Sequence, residues 1–113
     1  MTRVILDEGV PRVLAKRLRE HGIDAIEFPN GMKQLSNGRL LDEIESRGFD
    51  LLLTNDKSMQ FQQNLTGRTL SVVSLPTNLR PILMKMLPEI AAAIRNAEAG
   101  RFTQMPVPDG CGL

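Results

Sequence analysis

A three-layer α/β/α sandwich around a mostly parallel sheet of four or five strands is the fold class this sequence predicts, and three observations predict it. Two short apolar runs, Val4-Ile5-Leu6 and Leu51-Leu52-Leu53-Thr54, lack polar alternation and so read as strands covered on both faces. Segments with helical apolar spacing stand between the strand-like runs and after the last of them. Strand and helix in alternation give crossover connections, hence parallel strands with helices on both faces.

Taken in order, the first strand is Val4-Ile5-Leu6, and it stops at Asp7-Glu8-Gly9. From Val10 the spacing turns helical, with Val10, Val13, Leu14 and Leu18 on one face, Pro11 tolerated in the first turn and Gly22 as the stop. Residues 24–28 supply a second short strand, and Pro29-Asn30-Gly31 turns the chain away. Ser36 or Asn37 caps a second helix with the buried stripe Leu40, Leu41 and Ile44, ended by Gly48. The run Leu51 to Thr54 is a central strand that halts at Asn55-Asp56. Residues 57–63 are read as a turn or two of helix broken by Gly67, and residues 70–75, rich in Val, as a fourth strand closed by Pro76.

The longest signal comes last. Leu79, Ile82, Leu83, Met86, Leu87, Ile90, Ala91 and Ile94 share one helix face, Pro81 sits in its first turn, and Pro88, lacking an N–H, predicts a kink or break. Residues 100–113, with Gly100, Pro106, Pro108, Gly110 and Gly112, have little to bury and are read as a flexible tail after a domain of residues 1–99.

Composition sets the outer limits. A chain of 113 residues with 42% hydrophobic content builds one core. Fourteen Lys and Arg balance 13 Asp and Glu, so any attraction to a polyanion must come from local clusters rather than from net charge. Cys111 is the only cysteine, which excludes an intramolecular disulfide and agrees with a reducing, cytoplasmic setting. The opening apolar run is too short for a signal-peptide core or a membrane span, so no membrane partner is expected.

Candidate chemistry gathers at the strand ends. In parallel α/β sheets ligands sit beyond the carboxyl ends of the strands, and those ends carry Asp7, Glu8 and Asp56. Carboxylates converging there repel unless a cation or a proton intervenes. Hard oxygen ligands without His or Cys suit Mg²⁺ or Mn²⁺, which lower the pKa of a bound water and stabilise charge on a phosphodiester. Each Asp also precedes a helix, where Asp serves as a cap or turn residue, and Glu8 in such a first turn complements the helix dipole. The recurrence at two strand ends is what turns the reading toward function. Lys57 directly follows Asp56 and is placed to meet a scissile phosphate. Arg12, Lys16 and Arg19 form a basic stripe with Arg17 beside them, fit either for a phosphate backbone, for an acidic partner or simply for solvent. Gln62, Gln63 and Asn64 offer hydrogen bonds to bases or ribose, or to their own backbone. His21 reads as a helix C-terminal charge, and four Phe give no extended stacking platform.

Ile5-Leu6-Asp7-Glu8-Gly9-Val10-Pro11, Leu35-Ser36-Asn37-Gly38 followed by Leu40-Leu41, Leu53-Thr54-Asn55-Asp56-Lys57, Gln62-Gln63-Asn64-Leu65 and the strand end before Thr77-Asn78 together resemble the uncharacterised PIN-like proteins. The resemblance spans residues 3–94. PIN domains are metal-dependent ribonucleases, many of them the toxin halves of toxin–antitoxin pairs such as the VapC-type toxins. The resemblance therefore implies Mg²⁺ or Mn²⁺, RNA as substrate, an antitoxin protein as partner and the homodimers such domains often form. It makes Asp7 the first-strand metal ligand, Asp56 the third-strand ligand and Glu8 an accessory acid, with Asn37 at the helix start where such sites place another acid. Two positions depart from the pattern: Arg39 stands where related chains often carry Glu, and Lys57-Ser58-Met59 lacks the acid that commonly follows the third strand's Asp. These departures keep open a PIN-like module that binds RNA or protein without cleaving. A phosphorylation-receiver domain also shares acids after strands one and three, but the chain lacks that class's Lys-Pro near the last strand.

Overall fold

The computed structural model describes residues 2–32, 35, 37–56, 65 and 67–106. Its elements are β1 (Arg3–Leu6), α1 (Val13–Glu20), β2 (Asp24–Ile26), a 3₁₀ turn (Asn30–Met32), α2 (Asn37–Ser46), β3 (Leu51–Thr54), β4 (Ser71–Ser74), α3 (Arg80–Lys85), α4 (Leu87–Asn96) and β5 (Phe102–Gln104). The described strands form one five-stranded sheet in the order β2-β1-β3-β4-β5, with every neighbouring pair parallel. This is the predicted α/β/α sandwich.

Side chains alternate along each strand, and the two faces collect separate cores. Val4, Leu6, Leu51, Leu53 and Val73 pack with Leu14 and Leu18 of α1, Leu83 of α3 and Ile90 and Ile94 of α4. Ile5, Leu52 and Val72 face the other way, against Leu40, Leu41 and Ile44 of α2 with Phe28, Met32 and Phe49. All four β3 residues are buried, which is why that strand reads as an unbroken apolar run.

Helix ends follow the glycines. Gly22 and Gly48 adopt φ of 81° and 84°, the left-handed region a side chain disfavours. At the first, Ile23 N–H donates to the Leu18 carbonyl and Gly22 N–H to that of Arg19. At the second, Phe49 donates to Ile44 and Gly48 to Glu45. Both are Schellman closures, which satisfy carbonyls the helix leaves unpaired. Pro11 lies just before the N-cap residue Arg12 rather than within the first turn of α1. Asn37 is the first residue of α2; Ser36, the alternative cap, and the short helix read over residues 57–63 lie outside the described residues.

The long C-terminal helix is two helices. The chain breaks at Met86, and Pro88 falls in the first turn of α4, where its missing N–H costs nothing. Leu83, Met86, Ile90, Ala91 and Ile94 are buried as their spacing predicts, but Leu79 is 48% exposed. Leu79 is the extended N-cap residue of α3, so the helical period does not carry it inward.

A second correction concerns the tail. Residues 102–104, read from sequence as its start, pair with β4 through Val72↔Phe102, Val73↔Thr103 and Ser74↔Gln104. Phe102 is the only apolar residue of the three, and no local periodicity marks them; backbone pairing to β4 makes them a strand. Residues 107–113, including Cys111, lie outside the described residues. Among the described residues no helix is long and apolar enough to cross a membrane.

Candidate functional site

The sheet order reverses between β1 and β3. From β1 the chain moves outward to β2, then crosses back so that β3 pairs with the other side of β1. In open α/β sheets a crevice forms at this switch point beyond the strand ends, because the flanking connections leave on opposite faces. Asp7 and Asp56 follow these two neighbouring strands, so the acids predicted to converge stand at the one edge position where the topology opens.

Hydrogen bonds tie the two exits together. Asp7 N–H continues the sheet ladder by donating to the Leu53 carbonyl at 2.8 Å, and Val10 N–H closes the turn onto the Asp7 carbonyl at 3.0 Å. The Asp7 carboxylate accepts from Glu8 N–H at Oδ1 (2.8 Å) and from the Thr54 hydroxyl at Oδ2 (2.7 Å). Thr54 Oγ1 in turn accepts from Asp56 N–H at 3.0 Å. One buried hydroxyl thus bridges the carboxylate of the first acid and the backbone of the second. Asn55 adds a parallel strut, its Nδ2 donating to the Gly9 carbonyl at 2.9 Å.

Register gives the site its face. Thr54 lies in phase with Leu52, on the α2 side of the sheet, and it is in register with Ser74 of β4. The hydroxyls of Thr54 and Ser74 therefore share a face with the Asp7 carboxylate. Both residues are fully buried, yet Ser74 Oγ has no hydrogen-bond partner among the described residues.

The predicted residues divide into three groups. Asp7 and Asp56 are half-buried and brought together as described, while Glu8 is exposed on the turn between Asp7 and Gly9. Arg12 joins Asp7 and Glu8 by lining a cavity of about 120 Å³ with Leu6, Val10, Glu27 and Phe28, a lining that does not include Asp56. Lys16 is exposed further along α1 and does not line this cavity. Lys57, Gln63 and Asn64, together with Gln62, lie outside the described residues, as does the side chain of Asn37.

The basic stripe on α1 is partly spent within the fold. Arg17 pairs with Glu20 at 2.9 Å, and Arg19 donates to the Ala25 carbonyl at 2.8 Å and pairs with Glu27 at 3.3 Å. The Glu27 carboxyl is held below its ordinary pKa first by its own backbone N–H, which outweighs burial, and then by Arg19 and Arg12. Arg12 therefore meets an acid across the cavity that it would offer to a phosphate.

On α2 the acids point elsewhere. Asp42 is exposed and pairs with Arg68 at 2.9 Å, and Glu43 pairs with Arg47 at 2.9 Å. Glu45 accepts from Arg68 and from both the N–H and the hydroxyl of Thr69. Burial alone raises the Glu45 pKa, but the Arg68 and Thr69 hydrogen bonds overcome it and hold the carboxyl below its ordinary value. These contacts fasten α2 to the segment entering β4, and none of the three acids serves the Asp7 site. Arg39, in the first turn of α2, is exposed.

Asp7 offers hard oxygen donors of the kind a Mg²⁺-type ion takes. Each Asp7 oxygen accepts one hydrogen bond and retains a further lone pair. Among the described residues no three His, Cys, Asp or Glu side chains gather as a metal-holding group. An ion here would rest on one or two carboxylates, with water and substrate oxygens completing its shell, as Mg²⁺ ordinarily does.

Thr54, Asn55 and Ser74 are site-edge residues that the sequence reading passed over. A signal existed for Thr54: a lone hydroxyl closing three leucines and followed by Asn-Asp has no reason to be buried unless it serves a polar neighbour. Comparison of the chain with family models, with curated proteins and with solved structures gives no match.

Proposed function

We propose that this chain is a PIN-like endoribonuclease dependent on Mg²⁺ or Mn²⁺, acting in the cytoplasm as the toxin of a toxin–antitoxin pair. The observation that carries the reading is the junction of Asp7 and Asp56 through the Thr54 hydroxyl at the switch point. Family resemblance supplies RNA as the substrate and an antitoxin as the protein partner. A bound divalent ion would lower the pKa of a water and offset charge on the phosphodiester. The chain's part is to hold the Asp7 carboxylate: Thr54 orients it, the Glu8 N–H fixes its second oxygen, and the ladder bond to Leu53 sets its height above the sheet.

Arg39 supports a second reading, a PIN-like module that binds RNA or protein without cleaving, because a cation stands where related chains often carry Glu. A receiver domain is disfavoured, since β5 runs out into Met105 and Pro106 with no lysine beside it.

Calorimetric titration of Mn²⁺ into wild type, Asp56→Asn and Arg39→Glu, with RNA cleavage assayed on the same samples, tests both. Binding and cleavage in the wild type, lost in Asp56→Asn and strengthened in Arg39→Glu, are the expected results. Wild-type heat equal to buffer defeats the nuclease reading. Binding without cleavage in either wild type or Arg39→Glu favours the binding module.

A further inference from the structure

We infer that Asn55 is a positioning residue that holds Asp56 against the Asp7 turn, an inference that rests on the two-carboxylate reading above. Two side chains cross from the β3 exit to the β1 exit. Thr54 grips the Asp7 carboxylate, and Asn55, one residue on, grips the Gly9 carbonyl at 2.9 Å. Gly9 lies in the turn that Val10 N–H closes onto the Asp7 carbonyl. The ladder bond from Asp7 N–H to the Leu53 carbonyl and the Thr54 bond join the two exits at Asp7; the Asn55 bond, displaced from the Thr54 bond by one residue on one side and two on the other, extends the junction along the turn to Gly9. Asp56 is the next residue after Asn55, so its Cα is fixed relative to Asp7 by both struts.

Gly9 completes the device. A Cβ placed there would stand 3.0 Å from Asn55 Oδ1, too close unless the amide moves. Its backbone is not in the left-handed region, so alanine fits the chain and disturbs only the contact with Asn55. A side chain at this position would therefore crowd the Asn55 amide oxygen.

The test is Mn²⁺ affinity by calorimetry in wild type, Asn55→Ala, Gly9→Ala and the double variant, with the urea midpoint of each followed by circular dichroism. Removing a group that orients a metal ligand typically weakens binding 10–100-fold, and a strut one residue from the ligand is expected at the lower end, about 10-fold. Gly9→Ala crowds the Asn55 amide oxygen without removing the donor and weakens binding by a smaller factor, and the double variant is no weaker than Asn55→Ala, because the crowding acts only through the Asn55 amide. If Asn55→Ala does not fold, Gly9→Ala reads the bond from its other side. Wild-type affinity in Asn55→Ala, or independent losses that multiply in the double variant, overturns the positioning role while leaving the proposed function intact. A wild type that binds no Mn²⁺ overturns the proposed function, and the positioning role falls with it.

Discussion

Replacing Thr54 with valine keeps the branched shape and removes one oxygen. Two hydrogen bonds go with it: the donation to Asp7 Oδ2 at 2.7 Å and the acceptance from Asp56 N–H at 3.0 Å. A bond to a charged group contributes about 1.5–3 kcal/mol and a neutral one about 1 kcal/mol. Two effects reduce the sum. Asp7 and Asp56 are half-buried, so water replaces part of what the hydroxyl supplied, and the new methyl gains up to about 0.8 kcal/mol by burial. A net loss of about 2 kcal/mol follows, which at a urea slope of about 1–3 kcal/mol per M lowers the midpoint by about 1 M. Circular dichroism is the probe, because the chain has neither Trp nor Tyr. Thr54→Ser keeps the hydroxyl and loses one methyl, about 1 kcal/mol, so it falls between wild type and Thr54→Val. A valine variant with a midpoint at or above the wild type's refutes the bridging role of the hydroxyl.

Two further outcomes concern Ser74 and the Arg68–Glu45 pair. Ser74→Ala removes a fully buried hydroxyl that has no partner among the described residues; its stability from urea unfolding is expected to match the wild type's or exceed it by up to about 1 kcal/mol, and a marked fall would show that the oxygen is bonded in solution. Arg68→Met removes the donor that overcomes burial at Glu45. The folded Glu45 pKa is depressed below its ordinary 4.5, so its contribution to stability is complete above that pH and is lost as pH falls through the folded value. The wild-type advantage over Arg68→Met is therefore full at about pH 7 and shrinks on acidification below about pH 4.5; paired urea midpoints across that range check it, and a constant gap contradicts the assignment.

Element by element, what was legible had a local cause. Val4-Ile5-Leu6 and Leu51 to Leu53 announce strands buried on both faces because every residue in them is apolar. Gly22 and Gly48 mark helix ends because a residue without Cβ enters the left-handed region freely, and Pro88 because its ring fixes φ and removes an N–H, whatever surrounds them. β5 was not legible, since Thr103 and Gln104 are polar and exposed and only pairing with β4 defines the strand. Leu79 misled because helical spacing says nothing about where a helix begins. Asp7 and Asp56 were found as acids at strand ends, whereas the arginines on α1 could not be sorted by spacing: Arg19 is bound to β2, and Arg12 reaches the Asp7 cavity.

By itself the sequence determined the class of fold, most element positions and the placement of Asp7 and Asp56 just beyond two strands, because hydrophobic period and backbone preference are properties of short stretches of chain. Only the tertiary structure decided that β1 and β3 are neighbours, that Thr54 and Asn55 bolt their exits together, and that the α2 acids are engaged with Arg47 and Arg68 instead. The Thr54 and Asn55 contacts depend on residues 47 and 46 positions apart along the chain being brought to hydrogen-bonding distance, and no local pattern encodes which distant partner a buried hydroxyl or an amide will meet.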